Sequence, residues 1–271
     1  MAKKRSVDKA KRANRYGAIL THIFERYYTR GTASFEFPRS ALNDAAKSMN
    51  VVLPKNLGDL LYSFRFRTGM PESIQRTAKD GYSWTIELFG RANYRMRQRK
   101  INRIVPNESM VWIKIPDATP EIVAAHALSD EQALLAKVRY NRLIDIFLRV
   151  TAYSLQSHLR TTVREMGQIE TDELYIAVTN TGQQFVIPVQ AKGGKDQIGV
   201  VQVEQDLALC RDKYPDLIPR PVAVQFIRDE RGETIVMIEL TEKDGEILMC
   251  DEKHYRLVPA SEIGPEDIQL K

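Results

Sequence analysis

The sequence contains only two cysteines, Cys210 and Cys250, and each lies in an apolar stretch without a partner at zinc-binding spacing. So few cysteines exclude a disulfide framework, and we expect both to be reduced core thiols of an intracellular protein. No apolar run approaches the roughly 18 residues that a membrane-spanning helix needs. The charged N-terminus is not followed by the apolar segment of a secretory signal, so the sequence predicts a soluble, cytoplasmic protein.

Several motifs of known enzyme classes are also missing. There is no phosphate-binding glycine loop, no GxGxxG fingerprint after a strand and no GxSxG serine motif. The four histidines are scattered and do not form a zinc-binding set. These patterns give no support for a nucleotide-binding enzyme, a serine hydrolase or a zinc enzyme.

The charge of the chain is distributed very unevenly. Residues 1–100 hold 21 lysines and arginines against 8 acidic residues, whereas residues 101–271 hold 19 against 27. A basic block joined to an acidic block indicates two functions. Short charge runs are usually no more than a solvated surface, but an excess of this size predicts binding to a polyanion such as nucleic acid.

Residues 1–98 contain the elements of a winged helix in order. Apolar residues at helical spacing predict a helix over residues 16–29, and an alternating strand follows at residues 34–37. Two short helices joined by a tight turn are predicted over residues 38–67, which is the helix-turn-helix pattern. Residues 73–90 predict two strands joined by a Lys-Asp-Gly turn, and this hairpin would be the wing.

The second helix of this pair and the wing supply the residues expected to contact double-stranded DNA. Arginine and asparagine near the start of a recognition helix can bond to base edges, and basic residues on a wing meet phosphates. The expected contacts are Lys55, Asn56, Asp59, Ser63, Arg65 and Arg67 on the helix and Arg76 and Lys79 on the wing. The alternatives are a purely structural helix pair and an internal ion pair for Arg65.

We interpret residues 99–128 as a connecting region and residues 129–271 as a second domain. A capping-box pattern, Ser129 with Gln132, begins a helical pattern that extends to about Leu159, either unbroken or with one break. Two strands, a helix that ends at a proline and three more strands follow. This order predicts a mixed α/β (α+β) domain in which helices flank a mixed β-sheet.

Two neighbouring strands of this domain carry the residues that suggest chemistry. Glu170 and Asp172 enter the first strand, and the second strand ends in Gln190, Ala191 and Lys192. Residues two apart share a face of a strand, so Gln190 and Lys192 are expected to point the same way, opposite Asp172 in a hairpin. The neighbouring acid, Glu173, is expected to be solvated.

Such a set suits hydrolysis of a phosphodiester. Asp172 would supply a hard oxygen ligand to Mg²⁺, and the side-chain carbonyl of Gln190 and the backbone carbonyl of Ala191 would complete the shell. Lys192 would hold or deprotonate the attacking water and offset charge on the phosphate. Glu170 would bind a second ion or position water.

The order of aspartate, hairpin and [Asp/Glu/Gln]-x-Lys resembles the PD-(D/E)xK nuclease superfamily, which includes most type II restriction endonucleases. The Gln-Ala-Lys form at residues 190–192 is similar to the variant of Mrr-like restriction nucleases. The resemblance covers about 60 residues, with Thr171 where the motif often has proline. An amide at residue 190 lowers the negative charge at the metal and is expected to weaken metal binding.

The resemblance implies a restriction-endonuclease-like fold for the second domain and a further set of site residues. In such nucleases the helix after the lysine flanks the site, which would bring Gln202 and Gln205 close to it. The helix before the first strand often adds a glutamate, for which Glu165 is the nearest candidate.

The sequence therefore predicts a Mg²⁺-dependent endonuclease of double-stranded DNA, similar to a sequence-specific type II restriction enzyme. Cutting both strands needs two active sites, so a homodimer is expected, and the resemblance implies a cognate DNA methyltransferase as a partner. One alternative is a repair, junction-resolving or phage nuclease with the same motif. Another is a winged-helix regulator that binds DNA without cleaving it, in which Asp172 and Lys192 only solvate strand ends. An RNA nuclease is less favoured, since a winged helix suits duplex DNA.

Overall fold

The computed structural model describes residues 2–53, 60–61, 63–90, 92–100, 103–126, 131–164, 166–194, 196–230 and 232–268. The chain forms two compact units. The first comprises Met1–Asn102 together with Arg164–Gly167, and the second comprises Arg103–Val163 together with Gln168–Lys271. Both helices and strands occur, and the largest sheet is mixed, so the expected mixed α/β class is confirmed.

The first unit consists of helices packed on a small antiparallel sheet. In chain order, its elements are α1 (Ala2–Tyr27), β1 (Ser34–Pro38), α2 (Ser40–Ser48), a π-helical turn (Ser63–Arg67), α3 (Glu72–Gln75), β2 (Ser83–Leu88) and β3 (Asn93–Arg99). The sheet order is β1-β3-β2, and both pairings are antiparallel. The middle strand is therefore the last one in the sequence.

An aromatic cluster forms the core of the first unit. The fully buried Trp84 of β2 meets the rings of Phe24, Tyr28 and Phe35 edge-on, with centroids 5.3, 5.6 and 5.7 Å away. Phe24 belongs to the apolar stripe of α1, which lies within the helix predicted for residues 16–29. The stripe is buried because its residues recur at helical spacing on one face.

The hairpin predicted over residues 73–90 is wrong. Its first half begins with helix α3, and the observed hairpin joins β2 to β3. Gln75 explains the helical turn, because its amide donates to the Tyr82 carbonyl at 2.9 Å and accepts from the Trp84 backbone nitrogen at 3.3 Å. Strand β3 was not expected, since Tyr94 and Met96 are its only apolar residues.

The second unit contains most of the strands. In chain order, its elements are β4 (Arg103–Ile104), β5 (Trp112–Pro116), α4 (Glu121–His126), α5 (Glu131–Tyr140), α6 (Leu143–Leu148), β6 (Thr151–Val163), β7 (Gly167–Val178), β8 (Gln184–Gly193), β9 (Ile198–Gly199), α7 (Val200–Lys213), β10 (Ile218–Pro219), β11 (Val222–Asp229), β12 (Gly232–Lys243), β13 (Glu246–Val258), a 3₁₀ turn (Ala260–Glu262) and α8 (Pro265–Ile268).

The main sheet of the second unit has eight strands, ordered β5-β13-β12-β11-β8-β7-β6, with β10 also paired to β8. The pairs β7–β8, β11–β12 and β12–β13 are antiparallel, whereas β8–β11 and β13–β5 are parallel. Strand β5 forms one edge of this sheet. Its residues, 112–116, belong to the region that the sequence analysis interpreted as a connection.

Helices cover both faces of the sheet around β8. Ile187 and Val189 pack into the core that contains Leu135 of α5, whereas Val186 packs against Cys210 of α7. Because alternate residues of a strand face opposite sides, α5 and α7 lie on opposite faces. The expected sheet with flanking helices is thus present.

Two further expectations change, and a third lies outside the described residues. The helix predicted to reach Leu159 ends at Leu148, where Arg149 takes a left-handed conformation with φ of 56°, and β-forming residues continue as β6. Ser129 of the predicted capping box lies outside the described residues. Cys210 is buried as expected, but Cys250 is exposed, and neither forms a disulfide. Among the described residues, no helix combines the length and the apolar character needed to cross a membrane.

Candidate functional site

Asp172 lies at the point where β7 and β8 stop pairing. The last paired residues are Glu173 and Val189, so Asp172 comes immediately beyond them. Its Oδ2 accepts a hydrogen bond of 2.8 Å from the backbone nitrogen of Ala191. The structure therefore brings Asp172 and the last residues of β8 together.

Lys192 and Glu131 complete this corner of the second unit. The Lys192 ammonium donates to Glu131 Oε1 at 2.8 Å, and Glu131 is the first residue of α5. Burial raises the pKa of Asp172, the positive charge of Lys192 lowers it, and the negative charge of Glu131 raises it further. Lys192 and Glu131 therefore both act on the Asp172 carboxyl group.

Glu131 was missed by the sequence analysis. The expected glutamate was Glu165, which lies outside the described residues. The signal that could have found Glu131 is its position in the first turn of a predicted helix, immediately after Ser129-Asp130 and ahead of the two strands. What no periodicity could show is that this helix begins beside the end of β8.

Gln190 is oriented away from this corner. Its Nε2 donates to Asp206 Oδ1 and Oδ2 at 3.1 and 3.0 Å and to the Glu170 carbonyl at 3.1 Å. Its Oε1 accepts from Gln202 Nε2 at 3.2 Å. Gln190 is only 3% exposed, and the nitrogen and the oxygen of its buried amide both have hydrogen-bond partners within the protein.

The expectation that Gln190 and Lys192 act from one face does not match these contacts. Gln190 bonds to α7, whereas Lys192 bonds to α5. The reason is that Lys192 lies one residue before the end of β8, where its long stem can bend toward Glu131. Gln202, which the resemblance places beside the site, donates to Gln190 on the α7 side of the sheet, and Gln205 is buried.

Asp206 is the second residue that the sequence analysis missed. It is buried in α7, and Thr171 Oγ1 donates to its Oδ1 at 2.6 Å. Burial raises the pKa of Asp206 to about 8, against the hydrogen bonds from Thr171 and Gln190, and the charge of Asp172 adds to the rise. Its spacing of four from Gln202 places both on one helix face, which is the signal that could have found it.

The two other acids of β7, Glu170 and Glu173, bond to partners other than Lys192 and Ala191. Glu170 is partly exposed and accepts from Arg160 at 3.1 Å. Glu173, expected to be solvated, is fully buried and accepts from Arg139 Nε at 2.9 Å and from Ser154 Oγ at 2.7 Å. It is buried because its strand alternation directs it to the core under α5, where Arg139 offsets its charge.

The oxygen ligands available for a cation are few. No group of three or more histidine, cysteine or acidic side chains is placed to hold a metal in the described part of the chain. The carboxylates of Asp172 and Glu131 are the hard donors that flank Lys192. Because Mg²⁺ keeps several waters and is often held by only one or two carboxylates, this pair fits Mg²⁺ better than a softer metal.

The sequence-predicted DNA contacts are distributed over the first unit. Lys55, Asn56, Asp59 and the side chain of Arg67 lie outside the described residues. Ser63 bonds to the Thr68 hydroxyl at 2.8 Å, and Arg65 is half-buried. Arg76 ends α3 in an exposed ion pair with Glu72, and Lys79 is exposed in the turn before β2. Neither Arg76 nor Lys79 therefore lies on the observed hairpin.

A scan of protein-family models finds no match for this chain, and searches of curated proteins and of solved structures find none either.

Proposed function

We propose that the chain is a Mg²⁺-dependent endonuclease of double-stranded DNA, with the chemistry in the second unit. The observation that carries this proposal is the meeting of Asp172, Lys192 and Glu131 where the pairing of β7 with β8 ends. Two carboxylates beside a largely buried ammonium form a set that suits attack of water on a phosphodiester. The resemblance to the PD-(D/E)xK nucleases supports the same reading.

Each residue has a distinct role in this proposal. Asp172 and Glu131 would hold Mg²⁺, and the bound ion would activate water and neutralise phosphate charge. The backbone nitrogen of Ala191 keeps the Asp172 carboxylate oriented by its 2.8 Å bond. Lys192 would orient the attacking water and stabilise the negative charge that grows on the phosphate. Glu131 holds the Lys192 ammonium in place until substrate arrives.

We further propose that the first unit is a winged helix that holds the duplex. Two observations support this assignment. The elements follow the order helix, strand, helix, helical turn, short helix and two strands, and the sheet order is β1-β3-β2. The wing is then the β2–β3 hairpin and not the hairpin predicted over residues 73–90. It carries Arg95, whose guanidinium lies 3.4 Å from the centre of the Phe89 ring and is paired with Glu36. The net charge of residues 1–100 supports binding to phosphates.

The nuclease proposal extends to partners. Cleavage of both strands favours a homodimer, and a restriction-type role would require a cognate DNA methyltransferase to protect the host. A repair or junction-resolving nuclease would use the same residues on a structured substrate. A DNA-binding regulator without cleavage is the second candidate, and the internal hydrogen bonds that saturate the Gln190 amide favour it.

The test is cleavage of long, unmethylated, mixed-sequence DNA with Mg²⁺ by the wild type, Lys192→Ala and the matched control Lys213→Ala. We expect discrete fragments from the wild type and the control, none from Lys192→Ala, and none from any variant with excess chelator. Cleavage only of branched or damaged DNA would identify the repair or junction nuclease. Intact DNA from the wild type, with a shifted band in a binding gel, would refute the enzyme and support the regulator.

A further inference from the structure

A buried hydrogen-bond network lies behind the candidate site, on the face of the sheet that α7 covers. The nitrogen of the Gln190 amide faces three acceptor oxygens, two of Asp206 and the carbonyl of Glu170. The oxygen of the same amide faces the amide nitrogen of Gln202, whose own oxygen accepts from the Gly199 backbone at 3.0 Å. Acceptors on one side and a donor on the other leave Gln190 a single orientation.

Asp206 is the residue that connects the two strands within this network. It accepts from Thr171 of β7 at 2.6 Å and from Gln190 of β8 at 3.0 Å. Thr171 directly precedes Asp172, and Gln190 lies two residues before Lys192. Both strands are therefore hydrogen-bonded to the Asp206 carboxyl group, each within two residues of its site residue, Asp172 in β7 and Lys192 in β8.

The burial of this network makes its bonds strong and selective. Thr171, Gln190 and Asp206 are 0, 3 and 1% exposed, so water cannot replace a lost partner. An amide at residue 190 presents hydrogens to residue 206 and needs an acceptor there. A carboxylate at residue 190 would need a donor instead, so the identities of the two residues depend on each other.

We propose that Asp206 is a positioning residue that fixes Gln190 and clamps β7 to β8, and so sets the spacing of Asp172 and Lys192. The effect on cleavage rests on the proposed nuclease function, whereas the pairing of the two residues does not. Asp206 is buried behind the sheet and acts only through its neighbours.

The pairing is tested by a double-mutant cycle in unfolding by urea, which needs no activity. At about pH 9, above the pKa of Asp206, Gln190→Glu sets two carboxylates against each other and is expected to lower the unfolding midpoint. Adding Asp206→Asn restores a donor opposite the new carboxylate, so the double variant should recover a midpoint closer to that of the wild type. Additive losses in the double variant would overturn the proposal. Asp212→Asn, the same change at a partly exposed position of α7, is the control.

The positioning role is tested on the full chain by cleavage kinetics. We expect Asp206→Asn to lower kcat or raise the Mg²⁺ requirement by about 10- to 100-fold, as loss of a supporting partner does, with unchanged affinity for DNA. The Gln190→Glu/Asp206→Asn variant should regain activity. Wild-type kinetics in Asp206→Asn would overturn the role. A wild type that cuts no DNA would refute the proposed function instead. The unfolding cycle would still test whether Gln190 and Asp206 depend on each other.

Discussion

The ammonium of Lys192 lies 2.8 Å from Oε1 of Glu131, and this bond joins the end of β8 to the first turn of α5. The two residues are 61 positions apart in the sequence. The position of Glu131 is favourable in itself, because a carboxylate in the first turn of a helix interacts well with the helix dipole. The pair brings a second carboxylate to Asp172, which the strands alone do not supply.

Glu131→Gln tests whether this second carboxylate takes part in the reaction. We expect cleavage to fall by at least about 10-fold, because the change removes a charged ligand and loosens Lys192. DNA affinity without Mg²⁺ should not change. Glu121→Gln is the matched control, since Glu121 also occupies the first turn of a helix, α4, and is exposed. Equal cleavage by both variants would show that Glu131 only solvates the helix start.

Arg139→Met tests the buried charge of Glu173. The change leaves Glu173 uncompensated in the core, so the free energy of unfolding should fall by about 3 kcal/mol. Arg160→Met, which breaks the exposed pair with Glu170, should cost less than about 1 kcal/mol. Urea unfolding measures both. Adding Glu173→Gln to Arg139→Met should recover part of the loss, and no recovery would contradict the stated cause.

Asp206 should make stability fall as pH rises. Its pKa rises from an ordinary 3.8 to about 8 on folding, so in this window the folded chain keeps a proton that the unfolded chain has released. The unfolded state then binds fewer protons, and the free energy of unfolding decreases with pH up to the folded pKa. Asp206→Asn cannot titrate and should become more stable relative to the wild type between about pH 5 and about pH 8. A constant difference across that range would contradict the shifted pKa. Asp212→Asn should keep the wild-type slope.

Lys79→Ala tests the polyanion surface of the first unit. Lys79 is exposed, and its backbone nitrogen is anchored by a 2.8 Å bond to Gln98 Oε1, so the turn should survive the substitution. Loss of one phosphate contact should weaken binding equally on all DNA sequences and reduce the salt slope by about 1. Lys213→Ala, in α7 of the second unit, should leave the slope unchanged. A sequence-dependent loss would indicate a contact to bases instead.

Local sequence patterns were sufficient for the elements that form the centre of the fold. The apolar strands β7 and β8, the turn between them and the helix that follows are all visible in residues 167–213. Helical spacing identified the apolar stripe of α1, and the charge asymmetry identified the basic region. Each of these signals depends on neighbours within a few residues, because helical and strand periodicity are local properties.

The errors occurred where distant contacts choose between two local options. The sequence pattern predicts helix for residues 151–159, yet these residues belong to the edge strand β6. The wing was expected over residues 73–90, yet a helical turn, Glu72–Gln75, occupies its start and β3 supplies the second strand. In both segments pairing with a strand elsewhere in the chain, which no local pattern shows, decides which residues form the sheet.

The sequence by itself determined which residues carry acid, amide and ammonium groups and that Asp172 and Lys192 belong to neighbouring strands. Only the tertiary structure decided their partners. Lys192 meets Glu131 because α5 begins beside the end of β8, and Gln190 meets Asp206 because α7 covers the opposite face. The physical reason is that hydrogen bonds and ion pairs act over about 3 Å, and packing alone brings residues far apart in the chain within that distance.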